Sequence, residues 1–93
     1  MIDRSISHLD GKTAIVTGGG RGIGKGLALG LAAFGANVVI AERNPDLAKE
    51  SAAEITATGG KALAAPTDVR EFDQVKATVQ QAVDSFGSVD VLV

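Results

Sequence analysis

The 93-residue chain has no cysteine, no tyrosine and no tryptophan, and only three phenylalanines, two prolines and one histidine. Without cysteine there can be no disulfide, no thiolate metal site and no thiol nucleophile, which points to the cytoplasm as the expected compartment. The single histidine, His8, sits in the polar segment "MIDRSISHLD" and reads as a solvated arm residue, so no metal site is expected. A surplus of one charge is also missing: nine basic against eleven acidic residues give a net charge of -2, with no electrostatic footprint for nucleic acid or an anionic membrane. The uncharged run Gly26–Ala41 is too short for a membrane span and is broken by Gly35 and Asn37, and the N-terminus lacks the apolar stretch of a secretory signal. One small globular domain is left, 45% apolar.

What the chain does have is alternation of two patterns. "TAIVT" (Thr13–Thr17), "NVVIA" (Asn37–Ala41), "KALAA" (Lys61–Ala65) and "VDVLV" (Val89–Val93) are four short apolar runs, of which all but the last lack the in–out alternation of a half-wet sheet. Between them lie helical spacings. Ile23, Leu27 and Leu31 recur every four residues up to Gly35. The second helix opens with Asn44 as N-cap and Pro45 in the first turn, then runs through Leu47, Ala48, Ala52 and Ile55 to Gly59–Gly60. Phe72, Val75, Val79, Ala82, Val83 and Phe86 mark one face of a third, ended by Gly87. The order βαβαβαβ predicts an α/β fold, a doubly wound parallel sheet of Rossmann type.

"VTGGGRGIGKG" (Val16–Gly26) falls between the first strand and the first helix, at the carboxyl edge of the predicted sheet. A limp linker has no reason to sit there. Open α/β sheets bind ligands at the carboxyl ends of strands, where a helix N-terminus offers unpaired N–H groups, so the expected ligand carries phosphate. Two spacings compete and fail. Gly19, Gly24 and Lys25 satisfy G-x-x-x-x-G-K, but position 26 is Gly where a P-loop needs Ser or Thr to hold magnesium, which leaves a nucleotide triphosphatase as a lesser alternative. The ordinary G-x-G-x-x-G spacing is not met at 23, 25 or 27.

The spacing that does fit is T-G-x-x-x-G-x-G, at Thr17, Gly18, Gly22 and Gly24, and it resembles the short-chain dehydrogenase/reductase family. "LDGKTAIVTGGGRGIG", "VVIAERN", "TDV" at Thr67–Val69 and "FGSVDVLV" each look like landmarks of that family, in its order and at its spacing. The resemblance leaves out only the first eight residues.

It implies a nicotinamide dinucleotide as cofactor and residue roles that physics supports. Gly18 would turn the chain out of the strand, Gly22 would admit the pyrophosphate, and Gly24 would let the helix pack closely, with Gly20 in the same loop and Ile23 offering its backbone N–H. For Gly26 and Gly30, inside the helix, close packing is the expected compensation for their poor propensity. Glu42, ending the second strand, would accept both adenosine ribose hydroxyls; the plainer alternative is a solvated glutamate. Asp68 resembles the residue that meets the adenine amino group, beside the Val69 backbone, with helix capping as its plainer role. Arg21 and Arg43 lie near the expected adenosine end and favour a 2′-phosphate, whereas Glu42 disfavours it. NAD is therefore the preferred cofactor and NADP the second. Asp90 belongs to the fold in this pattern, and Lys25 and Lys49 read as exposed helix charges.

The family's catalysis, as the resemblance implies, uses a tyrosine with a lysine four residues later, a serine and an asparagine. None of these can be assigned here, so no catalytic residue is named. The expectation is the cofactor-binding half of a dehydrogenase or reductase acting on a small alcohol or carbonyl substrate. The chain by itself would be inactive, and the intact parent would be a homo-oligomer. The alternative is a stand-alone module that binds an adenine dinucleotide. The family order also places the fourth strand beside the first, leaving "VDVLV" as an apolar edge.

Overall fold

The computed structural model describes residues 9–93, so His8 lies outside the described residues. The apolar runs become strands β1 (Thr13–Thr17), β2 (Asn37–Glu42), β3 (Lys61–Pro66) and β4 (Val91–Leu92), separated by helices α1 (Gly22–Ala33), α2 (Pro45–Ala57) and α3 (Phe72–Phe86). All pairings are parallel and the sheet order is β3-β2-β1-β4. Thr13 stands opposite Asn37 and Asn37 opposite Lys61, so the three long strands begin level and end together at Thr17, Glu42 and Pro66. Strand order reverses beside β1, and the crevice of an open α/β sheet opens at such a reversal.

Alternation along each strand divides the core between two faces. Val16, Val38 and Ile40 pack with Ala28 of α1 and with Ala48, Ala52 and Ile55 of α2. Ile15, Val39, Ala41 and Ala65 pack on the other face with Ala82 of α3. β1 and β2 are therefore buried on both sides, as their unbroken apolar runs predict. β3 is only half-buried, because it is an edge strand with one neighbour.

Local chemistry sets the helix ends. The Asn44 side chain accepts from the backbone N–H groups of Asp46 (3.0 Å) and Leu47 (3.3 Å), with Pro45 in the first turn. Gly87, in the left-handed region at φ +91°, ends α3. Lys25 is not a free helix charge: its Nζ lies 2.7 Å from Glu54 Oε1 and ties α1 to α2.

Two expectations about helix faces need correction. In α1 only the far end of the Ile23–Leu27–Leu31 stripe meets the core: Leu31 is partly buried against it, Ile23 is 93% exposed and Leu27 is exposed, and the residue the helix buries fully is Ala28. In α3 the apolar stripe is wider than the contact. Thr78 and Ala82 are buried, and such small side chains bring the helix close to the sheet, while Phe72, Val79 and Val83 stay exposed. The fourth strand is also shorter than "VDVLV", spanning Val91–Leu92, although backbone bonds to β1 continue on both sides of it, from Asp90 to Thr13 and between Val93 and both Ile15 and Thr17.

Asp90 Oδ2 accepts from the Thr13 N–H at 2.9 Å and from Ser88 Oγ at 2.9 Å, while the Asp90 N–H donates to the Thr13 carbonyl at 2.9 Å. The carboxylate thus locks the start of β4 onto β1, which is the structural role expected of it. The Thr13 amide first, then the Ser88 hydroxyl, hold its pKa below the ordinary 3.8. A depressed carboxylate pKa contributes stability that is complete above the unfolded-state value and is lost as pH falls through the folded one. Asp90→Asn should therefore lower the melting temperature at neutral pH and flatten the loss of stability below the ordinary value of 3.8, as read from thermal melts across the acid range. Ile55→Ala, at a fully buried site between α2 and the sheet, should cost about 2–5 kcal/mol in urea unfolding.

Candidate functional site

The carboxyl ends of the strands are stitched together before any loop leaves them. The Gly18 N–H donates to the Ala41 carbonyl and the Thr67 N–H to the Glu42 carbonyl, each at 2.9 Å. On the other side of β1, Thr17 donates to the Val93 carbonyl from both its N–H (3.0 Å) and its Oγ1 (2.7 Å). From this edge the glycine loop turns back into α1. Gly18 (φ +65°) and Gly22 (φ +59°) occupy the left-handed region that favours glycine. A Cβ at Gly22 would meet nothing within 4 Å, so the backbone there faces open space.

Gly24 is the opposite case. A Cβ at this position would stand 2.3 Å from the Gly18 carbonyl oxygen, so the helix crosses its own entry turn at a distance that excludes any side chain. The approach is to the loop backbone at Gly18 and Gly19, whereas the expectation for Gly24 is close packing on the sheet. Gly26 and Gly30 show no such contact: a Cβ at either would meet nothing within 4 Å, so close packing does not explain them.

At the head of α1, Arg21 is extended, its side chain makes no capping hydrogen bond, and the first turn has no acidic residue. Among the described residues the opening amides of α1 therefore have no capping side chain, in contrast to those of α2. Such an end carries partial positive charge and suits an anion. Lys25 turns away from it to Glu54, and the metal-holding hydroxyl of a P-loop is absent at Gly26, so a triphosphatase arrangement is not formed. Among the described residues no three acidic or histidine side chains are grouped to hold a metal ion.

Beside the loop is an open cleft of about 440 Å³ lined by Thr17, Gly18, Glu42, Arg43, Asp68 and Arg70, among others. A larger hollow of about 560 Å³ lies at the opposite edge, around Gly35, Asn37 and Lys61, and contains none of the expected residues. The expected residues line the smaller one. Glu42 ends β2, is 7% exposed, and accepts from the Asn44 N–H on Oε2 at 2.9 Å; it is not a solvated surface glutamate. Arg43 next to it is exposed. Val69 also lines the cleft and is 56% exposed. Gly18, Glu42, Arg43, Asp68 and Val69 are thus brought together, with Gly20 against Glu42 and with Arg21, Gly22 and Ile23 at the head of α1.

Arg70 is the residue that sequence reasoning missed. Asp68 Oδ1 accepts from the Arg70 N–H (3.0 Å) and Nε (3.1 Å), and Oδ2 from the second guanidinium nitrogen (2.9 Å). The helix-capping role considered for Asp68 is not what forms, since α3 is capped at Glu71 without a side-chain bond. The Arg70 guanidinium, then the Arg70 backbone N–H, hold the Asp68 carboxyl down to about 2. The available signal was D-x-R, an Asx turn closed by its own arginine. A carboxylate has about four acceptor sites and Arg70 fills three, which leaves one on Oδ2.

A family model described as short chain dehydrogenase matches residues 12–93, the stretch that contains the loop, Glu42 and Asp68. The chain belongs to this family. Among curated relatives it is 48% identical over 96 aligned positions to Hydroxysteroid dehydrogenase-like protein 2 of Xenopus tropicalis, covering 96% of this chain and 23% of that protein. It is 49% identical to Short chain dehydrogenase/reductase astE of Aspergillus oryzae, covering 91% of this chain and 33% of that protein. The chain thus spans a quarter to a third of the length of these relatives. Among solved structures, a hydroxysteroid dehydrogenase from Escherichia coli superposes with a TM-score of 0.90 at 39% identity, over 97% of this chain and 38% of that one. A 7 alpha-hydroxysteroid dehydrogenase complexed with NADH and 7-oxo glycochenodeoxycholic acid gives 0.89 at 39% identity, over 99% and 36%. The doubly wound parallel sheet is thus the family's own fold, and no helix among the described residues is long and apolar enough to cross a membrane.

If Arg70 sets the ionisation of Asp68, Arg70→Ala should raise the Asp68 pKa from about 2 towards the ordinary 3.8 while leaving Asp90 unchanged. Carbon-detected NMR titration of the side-chain carboxyls measures both.

Proposed function

We propose that this chain is the dinucleotide-binding part of an oxidoreductase that interconverts alcohols and carbonyls, with NAD as the preferred cofactor. The observation that carries the reading is the juxtaposition at one sheet edge of an uncapped helix N-terminus behind an open glycine turn with a buried carboxylate, Glu42, facing the same cleft. The relative complexed with NADH supports it, being 39% identical over nearly the whole chain.

When bound, the cofactor supplies the hydride chemistry. The chain's residues would position it. The α1 amides and the bare backbone at Gly22 receive the pyrophosphate, Glu42 accepts from the ribose hydroxyls, and Asp68 accepts from the adenine amino group beside Val69. Charge-assisted hydrogen bonds of the Glu42 type contribute roughly 1.5–3 kcal/mol. A 2′-phosphate at about 4 Å from the same carboxylate would cost on the order of 4 kcal/mol per unit charge at an effective dielectric near 20, before screening. Arg21 and Arg43 oppose that discrimination, since a guanidinium binds phosphate well. NAD needs no movement of Glu42, and for that reason we rank it above NADP.

Proton transfer is not assigned to this chain, which has no tyrosine. We accordingly expect binding without turnover from the chain alone, and we place the substrate residues and the homo-oligomeric contacts of the working enzyme outside it. The missing cysteine fits a cytoplasmic setting.

Gly22→Ala should lower dinucleotide affinity at least about tenfold while costing roughly 1–2 kcal/mol of folding stability through its left-handed φ. Titration with NADH fluorescence, alongside circular dichroism, measures both; unchanged affinity would remove the phosphate from the loop. Glu42→Ala should narrow the ratio of NAD to NADP affinity, and an unchanged ratio would remove Glu42 from the ribose site.

A further inference from the structure

The glycines of the loop do not all face the same way. Gly22 borders open space, whereas Gly20 is buried and its missing side chain would point into the protein, onto the end of β2 and the first turn of α2. A Cβ at residue 20 would stand 2.5 Å from Glu42 Cγ, 2.8 Å from Glu42 Oε1 and 2.8 Å from Leu47 Cβ. Contacts below 3.0 Å demand that something shift. Leu47 Cβ is fixed to the α2 backbone, and the helix is pinned at this end by the Asn44 cap. The Leu47 contact is relieved only by a small shift of the loop backbone itself, while the Glu42 side chain is the part able to swing away. Its other oxygen, Oε2, is held by the Asn44 N–H at 2.9 Å, so the carboxylate lies between the Gly20 backbone on one side and the start of α2 on the other.

We infer that Gly20 is a specificity-determining positioning residue: the absence of a side chain there is what allows the Glu42 carboxylate to stay where it rejects a 2′-phosphate. This rests on the ribose reading of Glu42 given above. Gly20 touches neither phosphate nor sugar in this account and acts through Glu42 alone. Any side chain at 20 displaces the carboxylate from the Asn44 amide, and Arg21 and Arg43, both exposed beside the loop and the cleft, are then left without the opposing negative charge. The pair Gly20–Glu42 thus works as one unit, and NAD preference requires both members.

The test is a double-mutant cycle on the chain with Gly20→Ala, Glu42→Ala and the two combined, following NAD and NADP affinity together with thermal unfolding. Gly20→Ala should reduce the NAD:NADP affinity ratio by about 10- to 100-fold, the weight of one charge-assisted hydrogen bond, and should add nothing further in the Glu42→Ala background. An independent effect in both backgrounds, or no effect of Gly20→Ala on the ratio while Glu42→Ala changes it, overturns the inference and leaves the ribose reading intact. No effect of Glu42→Ala on the ratio overturns the ribose reading and with it the specificity role. The melting temperatures still show whether the two residues are coupled. If Gly20→Ala does not fold, Glu42→Ala should raise its folded fraction by removing two of the three close contacts, the one with Leu47 Cβ remaining in both variants, and no gain in the combined variant overturns the pairing.

Discussion

A Cβ at residue 24 would stand 2.3 Å from the Gly18 carbonyl oxygen, so α1 can begin directly over the end of β1 only while residue 24 has no side chain. Much of the rest follows from that approach. It brings the first turn of α1 to the carboxyl edge of the sheet, beside the ends of β2 and β3. It places Gly20 and Glu42 in contact across the loop, and it leaves the opening amides of the helix facing outward.

The sheet and its helices were legible because the apolar runs and the helical spacings have different periods and are punctuated by Asn44–Pro45, Gly59–Gly60 and Gly87. Less legible was which face of each helix is buried. Periodicity reports an apolar stripe without saying what covers it, and in α1 and α3 the contact is made by Ala28, Thr78 and Ala82, small residues adjacent to or within the stripe. Larger side chains, Leu29 and Leu31 in α1 and Phe86 in α3, pack around these small ones at the margin of the contact. The fourth strand was overdrawn as well. Asp90 looks like an interruption of an apolar run, yet its side chain bonds Thr13 and Ser88.

At the candidate site the legible part was the set of residues fixed by chain position: the glycine turn, the acid ending β2 and the aspartate after β3. Spacing along the chain reports these. The arrangement of charge within the cleft was not legible, because it depends on side-chain directions. Arg70 stands two residues beyond Asp68 and could have pointed to solvent; instead it folds back and takes three of the four acceptor positions. Gly20 and Glu42 are likewise far apart in sequence, and nothing in either segment alone announces that one makes room for the other.

The locking of β4 onto β1 through Asp90 and Thr13 spans 77 residues of chain, whereas Thr13 meets its β2 partner Asn37 much earlier. By loop-closure entropy the longer connection costs about 1 kcal/mol more to form, a cost that the bonds of Asp90 to Thr13 and Ser88 help to offset. The aspartate at the start of β4 is therefore a clasp on the most distant pairing in the sheet, and the Thr17 end of the cleft rests on the edge it holds.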